Sequence, residues 1–287
     1  MKLSNLTDGL QERFGVLAAV RMNCEAGFEA IDCSMFHPEC ELLNEDPDRL
    51  LPEMKKIADA YGVRFNQAHA PFPTYRFGEE NEEYNRTVRA EILRSIEIAG
   101  ALGADHIILH PVAVPHATAD EQLAFNLELF GEFVDAAHRN RVGIALENMW
   151  GRHRDAPVIV ANVCSTGEEL ARYLDAFADP AVTACLDVGH AGLVGLSADR
   201  MVRALGAERL TCLHVHDNDF LHDSHTYPFV MNVNFAELMR ALREIGYRGD
   251  LTFEASSFLR RLPDELCFDA TVYLCRIGKY LRTLFEA

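Results

Sequence analysis

The sequence predicts an α/β fold, a (β/α)8 TIM barrel built as a single domain over residues 1–287, and three observations predict it. Short β-type runs alternate with longer segments of helical spacing, and there are eight of them. No stretch rich in Pro, Gly and Ser divides the chain. No Gly-x-Gly-x-x-Gly follows a strand, so the nucleotide cradle of the competing doubly wound open sheet is missing. Eight alternating units close most naturally into a barrel, for which about 250 residues is the usual size.

In order, the β-type runs are residues 13–20, 29–35, 64–71, 106–112, 143–149, 182–191, 209–217 and 249–256. Between the third and fourth, Val88, Ile92, Ile96 and Ala99 recur at helical spacing. Glu79, Glu80, Glu82 and Glu83 stand at the start of that helix, where its macrodipole favours negative charge. The last segment reads as a helix with Pro263 in its first turn and Leu266, Ala270, Leu274, Ile277, Leu281 and Leu284 on one face. Residues 218–232 and 75–78 lack such periodicity and are expected to be loops shaping a mouth.

Composition narrows the function classes. Hydrophobic residues make up 49% of the chain and are spread from end to end, which excludes a fibrous or disordered protein. The balance of 27 Lys+Arg against 44 Asp+Glu, a net charge of −17, disfavours a sequence-independent grip on nucleic acid or an anionic membrane. Charges or histidines break every apolar run short of a membrane span, and residues 1–15, with Asp8, Glu12 and Arg13, lack the apolar core of a secretory signal. None of the eight cysteines forms a Cys-x-x-Cys pair. Cys185, Cys212, Cys267 and Cys275 lie in apolar runs as small hydrophobes, so a reducing compartment, most simply the cytoplasm, is expected.

Six of the eight runs end in a metal-binding residue type: His69 in QAHAPF, His110 in ILHPV, Glu147 in IALENMW, Asp187 in CLDVGH, His214 in CLHVHDN and Glu254 in LTFEAS. The C-terminal ends of barrel strands meet at one mouth, where barrel enzymes build their sites. Stepping back by two gives Ala145, Cys185, Cys212 and Thr252, small residues suited to a crowded interior. Three carboxylates converging with several imidazoles and hardly any Lys or Arg would repel one another unless a cation sat among them. Gly189 would let a tight turn bring His190 back over the mouth. No Ser-His-Asp order, nucleophile elbow or phosphate loop competes with a metal site.

ALGADHIILHPV, IALENMWG, CLDVGHAG, LHVHDND with DSHTYPF downstream, and LTFEAS together resemble the xylose-isomerase-like TIM-barrel superfamily, which includes sugar phosphate isomerases, epimerases and endonuclease IV. The resemblance implies a divalent metal, Mn²⁺ foremost with Zn²⁺, Mg²⁺ or Co²⁺ as alternatives, held by Glu147, Asp187, His214 and Glu254. His214 fits the family's His-x-x-Asp pattern, and His216 is an alternative of the same parity. The implied activity is isomerisation or epimerisation of a sugar, sugar phosphate or sugar acid. A proton passes between Glu147 and Glu254 through a metal-stabilised cis-enediolate, and His190 contacts a substrate oxygen.

By the same resemblance His69, His110, Glu147, Asp187, His190, His214, Asp223, His225 and Glu254 match in order the zinc ligands of endonuclease IV. This makes His69, His110, His190, Asp223 and His225 candidates for additional metal ions and a multi-zinc phosphodiesterase the alternative activity. A non-catalytic sugar-binding barrel is a further alternative, disfavoured by carboxylates that are costly at apolar strand ends without a metal. Where the epimerases carry a carboxylate soon after their first metal Glu, this chain has Arg152, His153 and Arg154, which suits an anionic substituent. Trp150, with Phe72 and Phe36 as weaker candidates, is expected to line the sugar site, and Arg260 and Arg261 to lie on a solvated helix approach. The expected partner is a small carbohydrate rather than nucleic acid or membrane, and family members often form homo-oligomers.

Overall fold

In the computed structural model, which describes residues 1–287 apart from 46, 73, 74, 154 and 157, the strands in chain order are β1 (Leu3–Leu6), β2 (Ala30–Ser34), β3 (Arg64–His69), β4 (His106–Leu109), β5 (Gly143–Glu147), β6 (Trp150–Arg152), β7 (Ile159–Ala161), β8 (Val182–Asp187), β9 (Leu210–His214) and β10 (Leu251–Phe253). Eight of them form one parallel sheet in the order β10-β1-β2-β3-β4-β5-β8-β9. The sheet closes on itself where Val215 pairs with Phe253; the Val215 N–H donates to the Thr252 carbonyl at 2.9 Å and the Glu254 N–H to the Val215 carbonyl at 3.2 Å. β6 and β7 form a separate antiparallel hairpin over the mouth. The fold is therefore the (β/α)8 barrel that the alternation predicts.

The barrel starts earlier than the periodicity suggests. Residues 13–20 are helical, in helices Asp8–Phe14 and Val16–Ala26 that meet at Gly15, whose φ of 81° breaks the helix between them. Val16, Ala19, Val20 and Cys24 form a buried helical face there, and an apolar run this short fits either period. The true first strand, LSNL, is fully buried but half polar, so no apolar run marks it. Residues 182–191 likewise divide into β8 and a helix, Val188–Leu193. In the last helix, Asp264–Glu286, Leu266 is exposed, and the buried face runs through Cys267, Ala270, Thr271, Leu274, Cys275, Ile277, Gly278 and Leu281.

The interior of the barrel has two chemically different halves. Ile108, Ala145, Cys185 and Cys212, from β4, β5, β8 and β9, form a small apolar plug of their own. On the other side β2 and β3 shift register: Ile31 pairs with Phe65 but Asp32 with Gln67. The extra residue is Asn66, and the bulge brings Asn66 and Gln67, neighbours in sequence, to the same interior network. Ser4 Oγ donates to Asn66 Oδ1 (2.7 Å), Asn66 Nδ2 to Thr252 Oγ1 (3.2 Å), Thr252 Oγ1 to Gln67 Oε1 (2.7 Å) and Gln67 Nε2 to Asp32 Oδ2 (3.1 Å). Buried polar atoms are thus paired in a chain that climbs toward the mouth. All eight cysteines are free thiols. Among the described residues no helix is long and apolar enough to cross a membrane.

Candidate metal centre

All nine strand-end and loop residues singled out by the sequence meet at the C-terminal mouth. His69, His190 and His225 share one pattern, in which one ring nitrogen is tied to a fixed acceptor and the other faces carboxylates, whereas His110 Nδ1 is buried without a hydrogen-bond partner. His69 Nδ1–H donates to the Ala70 carbonyl (2.7 Å), His190 Nδ1–H to the Asn148 carbonyl (2.8 Å) and His225 Nδ1–H to the Glu254 carbonyl (3.0 Å). A carbonyl can only accept, so these bonds set the tautomer and leave each Nε2 available. The freed nitrogens face Glu147 Oε2 at 3.7 Å, Asp223 Oδ2 at 3.4 Å and Asp223 Oδ1 at 3.1 Å respectively. Anchoring of this kind orients metal-binding histidines.

His214 follows the same logic with a carboxylate as anchor. Its Nε2 lies 3.3 Å from Asp32 Oδ2, the end of the interior hydrogen-bond chain, and its Nδ1 lies 3.0 Å from Glu147 Oε1 and 3.2 Å from Glu254 Oε2. Glu147, Asp187, His214 and Glu254 form an inner cluster whose ligand atoms all lie within 4.8 Å of one another. His69 and His110 share Glu147 with it, and His110 Nε2 is 2.8 Å from Glu147 Oε2. His190, Asp223 and His225 form an outer cluster at the same separation. His216 stacks on His225, ring centroids 3.9 Å apart, and its Nε2 sits 3.0 Å from both Asp187 oxygens, so it supports the inner cluster from behind.

Charge in the mouth is heavily perturbed. Burial alone would raise Glu147, but His214 and hydrogen bonds from His110, His214 and His69 hold it well below the usual carboxylate range. Burial is also opposed at Asp187, which His190 and His216 pull down to about 2. Glu254 is raised, by burial first and by Glu147, against the pull of His214 and His225. His190 and His214 are held well above their ordinary value: burial opposes this, but Asp187 and Asp223 act on the first, and Cys185, Glu254 and Glu147 on the second. Burial lowers His110. Asp223 Oδ1 is buried without a hydrogen bond although an imidazole nitrogen is 3.1 Å away. Nitrogen and oxygen donors crowded in this way, with a buried acceptor left over, fit a divalent cation.

Above the clusters lies a cavity of about 440 Å³ whose lining includes Asp8, Phe36, Phe72, Trp150, Arg152 and Arg260. Phe72 stands 5.0 Å from the Phe36 ring and 5.5 Å from His110. The guanidinium of Arg152 covers the Trp150 ring at 5.0 Å, so that face of the indole is taken. Arg260, expected on a solvated helix approach, is exposed just after the helix Ser256–Leu259 and also reaches the rim, 3.5 Å from Asp8 Oδ2 and from Glu12 Oε1. Arg154, the last of the basic turn, lies outside the described residues.

Gly189 does not make a turn: it is helical, and a Cβ there would stand 2.1 Å from His216 Cε1. His190 instead reaches the mouth because Asp187 caps the short helix, accepting the His190 N–H at 2.7 Å. Sequence reasoning also missed Asp32, Asn148 and Asp217. Asn148 bonds the Asp187 backbone in both directions, and Asp217 accepts the N–H groups of Met231 and Val233, closing the long loop. A charged residue in an otherwise uncharged run, as in AIDCS, was the available signal for Asp32.

Residues 20–265 match the family model described as xylose isomerase-like TIM barrel. An uncharacterized protein of Methanocaldococcus jannaschii is 28% identical over 206 residues, 70% of this chain and 67% of that one. A probable endonuclease 4 of Shouchella clausii is 29% identical over 168 residues, 55% of this chain and 54% of that one. The chain thus spans from about half to two thirds of the length of these relatives. Among solved structures, a D-tagatose 3-epimerase-like protein superposes with a TM-score of 0.75 at 22% identity, covering 100% of this chain and 98% of that one. An IOLI protein with a bound zinc atom gives 0.75 at 15%, with the same coverage.

Proposed function

The chain belongs to the xylose isomerase-like TIM-barrel family, and on that premise we propose that it is a divalent-metal-dependent isomerase or epimerase of a small sugar, sugar phosphate or sugar acid. Glu147, Asp187, His214 and Glu254 would hold the ion, Mn²⁺ foremost, with Zn²⁺ the choice favoured by the added histidines. When bound, the ion supplies Lewis acidity that acidifies the C–H beside a sugar carbonyl.

The chain's own residues do the rest. One of Glu147 and Glu254 removes the proton and the other returns it, to the opposite face for epimerisation or to the adjacent carbon for isomerisation. His190 Nε2 hydrogen-bonds a substrate oxygen, Arg152 pairs with an anionic substituent, and Phe72 and Trp150 exclude water from the mouth. The observation that carries this reading is the pairing of Glu147 and Glu254 at 3.0 and 3.2 Å from one nitrogen of His214 beneath a cavity of about 440 Å³, a size suited to a small molecule. A reducing cytoplasmic setting and a homo-oligomeric assembly complete the reading.

Turnover of ketoses or their acidic and phosphorylated derivatives in D₂O tests it. Deuterium should enter one carbon of the recovered sugar, and chelation should abolish activity. Competent turnover without label would mean a hydride shift and remove the two Glu from their roles.

A second reading, a multi-zinc phosphodiesterase, is favoured by the outer cluster. Against it, the chain carries a net charge of −17, and the cavity-lining Arg260 is shared by Asp8 and Glu12. Abasic-site DNA should therefore stay intact with Mn²⁺ or Zn²⁺. Salt-sensitive incision lost in Asp223→Ala or His225→Ala would promote the second reading over the first.

A further inference from the structure

The only tryptophan of the chain makes a contact that a sugar platform does not need. The Trp150 indole N–H donates to Asp223 Oδ2 at 3.1 Å, the same oxygen that faces His190 Nε2 at 3.4 Å. Among the described residues, no other donor besides the imidazoles of His190 and His225 reaches this carboxylate. Both imidazoles are anchored to backbone carbonyls, whereas among the described residues no backbone N–H reaches the Asp223 carboxylate.

Asp223 also sits on a strained segment. Phe220, His225 and Phe229 have φ values of 64°, 38° and 72°, in the left-handed region that costs a non-glycine residue energy. Trp150 is in the opposite situation. It lies in the β6–β7 hairpin, paired with Ala161, and its carbonyl accepts from Asn162 Nδ2 at 3.3 Å. A firmly held donor therefore aims a carboxylate carried by a strained loop. A neutral N–H can do this without cancelling the charge that a cation needs.

We propose that Trp150 is a positioning residue for a metal ion held by His190, Asp223 and His225, and that its indole senses the loading of that outer cluster. This rests on the second reading above, in which the outer cluster holds an ion of its own, and it gives His190 Nε2 to that ion where the isomerase reading gives it to a substrate oxygen. Because the inner cluster takes its orientation from Asp32 and the strand ends, Trp150 should matter for one ion and not for the other.

Zn²⁺ titration of the metal-free full chain tests the proposal, read by elemental analysis, by competition with a chromophoric chelator and by tryptophan emission. In the wild type, emission should change as the outer equivalent binds. In Asp223→Ala that change should vanish while the inner equivalent still binds. Trp150→Phe keeps an aromatic ring and loses the donor, so the outer equivalent should bind about tenfold more weakly, with the inner affinity and the circular dichroism spectrum unchanged. Trp150→Phe taking up every equivalent as tightly as wild type would overturn the role of Trp150 alone. A wild type that binds no Zn²⁺ at all would overturn the metal reading and this proposal with it.

Discussion

The inner and outer clusters use similar side chains on different supports. Glu147, Asp187 and His214 end barrel strands and Glu254 directly follows one, and the orienting partner Asp32 is itself in a strand. In the outer cluster, Asp223 and His225 ride on a loop and His190 on a helix of 6 residues, held by an indole, two carbonyls and the Asp217 clasp at the loop's base. Strand ends are placed by the hydrogen-bond ladder of the whole barrel, whereas loop positions depend on a few side-chain contacts. The comparison teaches that the inner cluster should be rigid and chemically decisive, and the outer one adjustable.

The largest effect that could break this contrast lies in the inner carboxylates. Glu147→Gln and Glu254→Gln should each lower turnover by about 10²–10⁴-fold, the usual worth of a positioned proton carrier, in a barrel that stays folded by circular dichroism. If His225→Ala proved as damaging to sugar turnover as either substitution, the outer cluster would share the chemistry and the division would fail.

A smaller effect sharpens it. Asp32→Asn weakens the anchor of His214 without touching a loop residue. Inner-site metal affinity should fall by about 10–100-fold, with outer-site affinity unchanged in the same chelator competition.

The smallest effect is on pH-dependent stability without metal. Asp187, of the inner cluster, is depressed from 3.8 to about 2; burial opposes this but His190 and His216 prevail. Its contribution is complete above about pH 4 and is lost as pH falls through about 2. His225, of the outer cluster, is raised from 6.5 to about 10; burial opposes this too but Asp223 and Glu254 prevail. Its contribution is complete below about pH 6.5 and is lost as pH rises through about 10. Thermal melts of the metal-free protein should therefore show His225→Ala flattening the alkaline decline and Asp187→Asn the acid one. The reverse assignment would mean that Asp187 and His225 do not set the acid and alkaline limbs of the stability profile.

How much of this was legible in the chain varies by element. The seven later barrel strands fall within their β-type runs, and the metal-binding types at their ends stood out because polar residues closing apolar runs are conspicuous. The first strand did not, since LSNL is too short and polar to show a period and acquires its identity only by pairing with β10 and β2. Residues 13–20 misled because a four-residue helical face and a short strand look alike until their neighbours are known. Leu266 fell off its helix face for a similar reason: the periodicity admits a neighbouring stripe through Cys267, Thr271 and Gly278, and packing chose it.

The sequence by itself determined the alternation of strands and helices, the absence of basic partners at the strand ends and the chemical types gathered there, because hydrophobic period and residue chemistry are local properties. Only the tertiary structure decided which ring nitrogen each histidine leaves free, that a bulge at Asn66 carries a hydrogen-bond chain up to Asp32, and that Trp150 spends its N–H on Asp223. Those outcomes depend on distances between segments far apart in the chain, from Asp32 to His214 and from Trp150 to Asp223. Such distances are set by closing the barrel, so no local pattern can encode them.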